Sequence, residues 1–416
     1  MDMQIGFGTT PQDIHIDDDN LYAILLPNEV EILDTGAAEV LRALKNPIGA
    51  PAIGEVVKPG EKVVIITSDI TRPVPSYKII PSILDALAYA GCSMDDITVV
   101  FALGSHRAHT EEEKRKLVGD AVYNRVNCID GDPKDFVHMG VTKAGTPVDV
   151  TRIVAQADRR IGVGNVEFHY FAGYSGGAKA IMPGVSTRDA IQSNHSMMVR
   201  DTAIAGQLET NPVRMDIEEA VGDHCPLDYI VNVVLDSKKE IIHAAAGDFI
   251  KAHREACLFL DKLYKKDIEQ KADIVIASQG GAPKDLNLYQ TQKALDNSKN
   301  AVRDGGIIIL VGSCKEGLGE RVFEEWMTAA KTSEELIERI EKDFQLGGHK
   351  AAAIALVLKK AEIYLVSEMD PDFVRSIFMV PFANVTDAYK AAQEKLGADS
   401  QVIVMPYGGS TLPVSE

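Results

Sequence analysis

Arg160-Ile161-Gly162-Val163-Gly164-Asn165-Val166, then His169, then Gly173-Tyr174-Ser175-Gly176-Gly177-Ala178-Lys179 is the stretch on which the reading of this chain turns. Its first seven residues are apolar and glycine-rich and read as a buried strand. The strand leads into a glycine turn with a lysine at its far end, a geometry that lets backbone N–H groups and an ammonium converge on an anion. His169 before the lysine and His195 after it add two imidazoles, groups that carry protons or bind a metal near neutral pH.

Moving outward, apolar β-branched runs recur at 62–67, 97–103, 161–166, 229–234, 274–277, 307–311, 363–366 and 402–405. Several are apolar on nearly every residue, as parallel strands covered on both faces require. Helix signals alternate with them. Thr110-Glu111-Glu112-Glu113 is a capping box, Asn211-Pro212 places a capping side chain before a proline at the first helical position, and 249–264 is long and amphipathic. The expected fold is therefore α/β, with largely parallel sheets.

At 416 residues the chain exceeds one ordinary core, so two α/β domains are expected. The charged run 265–271 ends a helix and precedes a new strand, which suggests domains at 1–267 and 268–416. The last strand, 402–405, is open to pairing in either domain. With 61 acidic and 43 basic side chains the formal net charge is −18, so nucleic acid is not an expected partner. A small anion remains possible where cations gather locally. There is no apolar run long enough to span a bilayer, and the start Met1-Asp2-Met3-Gln4 is unlike a signal peptide. The five cysteines (92, 128, 225, 257, 314) are scattered without zinc-site spacing. They read as reduced thiols of a cytoplasmic protein.

The chemically rich clusters lie just after strands, where open α/β sheets bind ligands. They are Asp69-Ile70-Thr71-Arg72-Pro73, then Gly104-Ser105-His106-Arg107-Ala108-His109, then His169 with the glycine turn, and Gln279-Gly280-Gly281 leading to Tyr289, Gln290 and Lys293. Both halves can thus face one cleft, and domain clefts are common ligand sites. Each motif also has a plain structural reading. Asp69 and Arg72 suit a surface ion pair as well as an anion site. His106, nearest its strand end, is favoured as a general acid/base, with His109 structural. The lysine turn is neither a nucleotide-hydrolase phosphate loop, because Ala178 and Ala180 replace the second glycine and the hydroxyl residue, nor a dinucleotide fingerprint. A lysine beside apolar strand ends can have a depressed pKa and act as a nucleophile. On a helix, Tyr289, Gln290 and Lys293 share a face, which suits either solvent or a carboxylate.

Taken together, Asp69-x-Thr71-Arg72-Pro73, Gly104-x-His106-Arg107, His169-x-x-Ala172-Gly173-Tyr174-Ser175-Gly176-Gly177-Ala178-Lys179, Pro183-Gly184, His195 and Tyr289-Gln290-x-x-Lys293 resemble the nickel-pincer-dependent lactate racemase family of 2-hydroxyacid racemases and epimerases. The motifs occur in family order from about residue 60 to 300. The resemblance implies two α/β domains with the site in the cleft. It implies a nickel-pincer pyridinium mononucleotide, built by dedicated maturation enzymes and attached covalently at Lys179. His195 would be the protein ligand to nickel, and Asp69, Ile70, Thr71 and Arg72 would hold the cofactor. His106 and His169 would be the acid/base pair, and Tyr289, Gln290 and Lys293 would bind the substrate. That substrate would be lactate-like, or a larger 2-hydroxy acid such as malate, an aryl lactate or a sugar acid. A reading from another class is a non-catalytic nucleotide- or phosphate-binding protein that uses the glycine turn alone.

Overall fold

The computed structural model describes residues 1–104, 106–236 and 238–415; Ser105, inside the His106 motif, lies outside the described residues. The chain forms two compact units. One is Val30–Asp261, and the other joins Met1–Glu29 to Lys262–Glu416.

The Val30–Asp261 unit is built on a six-stranded sheet. Its order is Ile241–Gly247, Tyr229–Leu235, Arg159–Asn165, Val63–Ser68, Ile97–Ala102, Asn127–Asp130. All neighbours are parallel except the Ile241–Gly247 edge. The unbroken burial of Val63, Val64, Ile65 and Ile66 shows why these runs are apolar on every residue: both faces are packed. Helix Ser76–Tyr89 turns Ile79, Ile80, Ile83, Leu84 and Leu87 inward at helical spacing, onto Val63, Ile65, Val99 and Ile161. The predicted capping box starts helix Glu111–Val118, with Thr110 and Glu113 satisfying each other's backbone N–H. Asn211 caps helix Pro212–Glu219 through Arg214 N–H at 3.1 Å.

The order of these strands places the site. From Val63–Ser68 the chain builds to one side through Ile97–Ala102 and Asn127–Asp130, then returns to the other side through Arg159–Asn165 and Tyr229–Leu235. Such a reversal leaves a crevice at the carboxyl ends of the strands that flank it. The segments after Ser68, Ala102 and Asn165, carrying Asp69, His106 and His169, are therefore neighbours.

The other unit has its own six-stranded sheet, parallel throughout. Its order is Val380–Phe382, Ala361–Val366, Val302–Val311, Ala272–Ser278, Val402–Met405, Leu21–Ile24. The strand at 402–405 thus pairs within this unit. Here the structure departs from a division at 267/268, because the first 29 residues belong with the C-terminal half. Leu21–Ile24 is the sheet's edge and only half buried, so it carries no strong apolar signal. The hairpin of Asp2–Ile5 and Gln12–His15 seals the same core with Ile5, Ile14 and Ile16. The strand that Leu21–Ile24 pairs with, Val402–Met405, lies about 380 residues away in sequence, and nothing local announces it. The chain also passes between units inside helix Lys251–Tyr264 rather than in the charged run beyond it.

Trp326, the chain's single tryptophan, is 1% exposed and packs on Gly348, where an added Cβ would sit 2.4 Å from the indole. Gly348→Ala is expected to destabilise this unit. Overpacking costs about 1–3 kcal/mol, against a helix-propensity gain of at most about 1 kcal/mol. Urea unfolding followed by tryptophan fluorescence should show an earlier midpoint; an unchanged or later midpoint contradicts the packing argument.

Candidate active site

The loop after Ser68 is held by two histidines that do different work. Asp69, 3% exposed, accepts the Thr71 hydroxyl at 2.8 Å and meets His106 Nδ1 at 2.5 Å. Burial pushes the Asp69 carboxyl up, but His106, Thr71 and Arg72 outweigh it and hold it below the usual carboxylate range. Asp69 thus stays ionised and accepts a hydrogen bond from His106 Nδ1–H, which leaves His106 Nε2 to exchange protons. The His106 side chain is 21% exposed and so reachable. Three residues on, His109 is enclosed: it accepts Ile70 N–H at Nε2 (3.0 Å) and bonds Asp130 through Nδ1 (2.6 Å). With Nε2 accepting, Nδ1 must carry the proton. His109 therefore ties the Asp69 loop to the strand ending at Asp130, and Ile70 contributes its backbone to that tie. Arg107, next to His106, instead makes an exposed ion pair with Glu113.

The third loop carries His169 and the glycine turn, and it closes around Phe171. That ring, 3% exposed, meets the edge of His169 at 4.5 Å and of His195 at 5.0 Å, and Lys179 Nζ lies 5.9 Å from its centre. Three of the residues singled out in the sequence therefore surround one aromatic side chain. Arg72 joins them electrostatically, because its charge acts on both His169 and Lys179. His169 accepts Ala172 N–H at Nδ1 (3.3 Å). Its pKa lies well below the ordinary value, first from burial and then from Lys179, Arg72, His195 and Arg214. Burial also pushes Lys179 well below the usual lysine range, with Arg214 and Arg72 adding to the effect and Glu167 opposing it. Lys179 is thus disposed to be a neutral amine, the nucleophilic form.

The shape of the turn depends on residues that the motifs did not reveal. Arg214, fully buried, donates to the carbonyl oxygens of Ala172 (3.3 Å), Gly176 (3.4 Å) and Tyr174. His253 Nε2 donates to Ser175 O at 2.8 Å, and Asn232 accepts Gly177 N–H at 2.8 Å. Gly173 is obligatory: its φ is +75°, and a Cβ there would lie 1.9 Å from the Gln207 carbonyl oxygen. His195, 6% exposed, sits near the end of helix Arg188–Ser196 and faces Asn194 Oδ1 through Nδ1 at 2.8 Å. Among the described residues no three His, Cys, Asp or Glu side chains group as metal ligands.

Tyr289, Gln290 and Lys293 lie in the other unit on helix Leu288–Ser298, which Asn287 caps. Gln290 and Lys293 are exposed. The Tyr289 ring is covered by the Lys350 ammonium at 4.0 Å and packs on Phe323.

Both His169 and His253 are pushed well below 6.5, His253 by burial and then by Arg214. Neutral when folded, they take up protons more readily when unfolded. Their contribution to stability is present above pH 6.5 and is lost as pH falls below it. His253→Gln keeps an N–H donor for Ser175 without a titrating ring. It should weaken the loss of stability between about pH 7.5 and about pH 5, measured by urea unfolding. An equally steep loss in the variant would overturn the assignment.

Two domain families match the chain: the lactate racemase N-terminal domain over residues 7–206 and the lactate racemase C-terminal domain over residues 268–412. The chain is 32% identical over 383 residues to the lactate racemase of Thermoanaerobacterium thermosaccharolyticum, which covers 90% of this chain and 89% of that protein. It is 31% identical over 406 residues to the lactate racemase of Lactiplantibacillus plantarum, covering 94% and 95% respectively. The solved lactate racemase apoprotein from T. thermosaccharolyticum superposes with a TM-score of 0.88 at 30% identity, over 99% of this chain and 100% of that one. With both domains matched in order and the fold shared along nearly its whole length, the chain belongs to the lactate racemase family, a family of isomerases.

Proposed function

We propose that the protein racemises lactate with a nickel-pincer pyridinium mononucleotide carried on Lys179 and ligated by His195. The observation that carries this reading is the gathering of His169, Lys179 and His195 around Phe171, within reach of the Arg72 charge. The donor set fits such a group. One buried imidazole, with no protein ligand cluster among the described residues, suits a metal whose other donors belong to an organic molecule. Arg72 and Arg214 suit an anionic mononucleotide, and a lysine disposed to be neutral suits a covalent link.

When bound, the group supplies a reversible acceptor for the C2 hydrogen as hydride, which avoids a doubly charged carbanion beside the carboxylate. The chain's own residues handle the protons. His106 takes the hydroxyl proton of one enantiomer at Nε2, and Asp69, ionised and buried, stabilises the imidazolium that results. His169 serves the opposite enantiomer; to take that hydroxyl proton at Nε2 its ring must give up the Nδ1 bond from Ala172 N–H and carry its own proton on Nδ1. Asp69, Ile70, Thr71 and Arg72 hold the cofactor. Gln290 and Lys293 bind the substrate carboxylate with Tyr289 beside them, Lys293 as a point charge. Enzymes that build the cofactor are the expected partners, and a cytoplasmic location fits the five free cysteines.

Protein matured with those enzymes and given one enantiomer of lactate should yield the other, read by chiral chromatography. His106→Asn should lower kcat by about 10²–10⁴-fold. Intact mass should show a covalent adduct that Lys179→Ala lacks. Matured protein that inverts neither lactate nor any of malate, an aryl lactate or a sugar acid rejects the reading; inversion of a larger acid alone reassigns the substrate.

A further inference from the structure

Beside His195 lies a fully buried amide whose orientation is fixed. Asn194 Nδ2 donates to Val213 O at 3.1 Å and to Asp216 Oδ2 at 2.8 Å. A carbonyl and a carboxylate only accept, so the amide cannot be turned round without setting oxygen against oxygen. Asn194 Oδ1 therefore faces His195 Nδ1, 2.8 Å away, and an oxygen there can only accept. Asp216 is fixed in turn: 3% exposed, it takes the Thr142 hydroxyl on Oδ1 at 2.5 Å, while Thr142 Oγ1 accepts Thr146 N–H at 3.1 Å. The bonds that run from Thr146 N–H through Thr142, Asp216 and Asn194 have one consistent assignment, and it ends with a proton on His195 Nδ1.

We propose that Asn194, locked by Asp216 and Thr142, is a positioning residue that holds His195 as the Nδ1–H tautomer and so sets its lone pair on Nε2 for the cofactor metal. This rests on the nickel reading above, but the tautomer itself does not require the metal. Helix Arg188–Ser196 brings Asn194 and His195, and helix Pro212–Glu219 brings Asp216. The ring is thus oriented by two helices and the Thr142 turn before any ligand arrives. Partners of this kind on a metal-binding histidine are worth about 10–100-fold in metal affinity.

The test uses cofactor-free full-length protein with ¹⁵N-labelled histidine, read by long-range ¹H–¹⁵N correlation at a fixed pH of about 8, where an ordinary imidazole is neutral. His195→Gln identifies the signals. The wild-type protein should show Nδ1 protonated and Nε2 not. Asp216→Asn keeps an acceptor for the Asn194 amide and should preserve this pattern. Asn194→Leu should move the proton to Nε2 in a large share of molecules; should that variant not fold, Asn194→Ser, whose hydroxyl stops short of the ring, takes its place. An Nε2–H ring in the wild-type protein, or an unchanged tautomer once the amide is gone, overturns the proposal. In matured protein, the Asn194 variant should surrender nickel to a chelator at about tenfold lower chelator concentration or less; equal retention overturns the metal-directed part. A correct tautomer in a protein that inverts no hydroxy acid would leave this assignment standing and sink the functional one.

Discussion

The site depends on one buried cation. Arg214 has no exposed surface, and its guanidinium is spent on the backbone: the carbonyls of Ala172, Tyr174 and Gly176 all accept from it. A glycine-rich segment has many conformations open to it, and folding must select one. Arg214 supplies the selection, because a planar fork of five donors can donate to three carbonyls in few arrangements. Among the described residues its close carboxylate is Glu218, 3.8 Å away, so the positive charge is poorly neutralised. Burial lowers the pKa of Lys179, His169 and His253, and the Arg214 charge adds to it at all three. A chain of net charge −18 thereby keeps a local concentration of positive charge beside the glycine turn.

The histidines show how the same side chain is given different work by its partners. His109 accepts a backbone N–H and faces Asp130, and is fully enclosed. His253 donates to a backbone carbonyl and is likewise enclosed. Both are braces. His106 also has an aspartate on Nδ1, yet part of its ring is exposed, so Nε2 is left within reach of a ligand. His195 meets the side-chain amide oxygen of Asn194 at Nδ1, a partner that fixes the tautomer without itself carrying a full negative charge. Burial and the identity of the Nδ1 partner separate these roles more sharply than sequence position does.

Much of this was legible in the sequence, for physical reasons that also mark where legibility ends. Strands buried on both faces announce themselves because every residue must be apolar, and all eight apolar runs are strands. The edge strand Leu21–Ile24 needs only half its surface covered, and its partner at Val402–Met405 is remote, so its place in the C-terminal unit could not be read locally. In the site, Lys179, His169 and His195 stood out because few structural needs call for them beside a glycine turn. Phe171, around which they gather, passed as an unspecified motif position, since a phenylalanine is the ordinary content of a core. Arg214 was hidden inside a helix noticed only for its Asn211-Pro212 start; its carbonyl partners lie about 40 residues upstream, and no local pattern encodes such a contact.

The location of these residues in the sheet connects the two levels. Strand order fixes which loops are neighbours, and the reversal beside Val63–Ser68 gathers the segments that come after Ser68, Ala102 and Asn165. Proximity alone would leave flexible loops near one another. His109 ties the first to the strand ending at Asp130, the Gly104 N–H to Gly184 carbonyl bond of 2.9 Å ties the second to the segment beyond Lys179, and Arg214 with His253 fixes the third. Each tie uses backbone groups that would otherwise be left unpaired on burial, so satisfying the main chain and aiming the side chains are one process. This explains why the supporting residues outnumber the reactive ones. His106, Lys179 and His195 can be held in fixed relation only if the irregular backbone beneath them has no other low-energy arrangement.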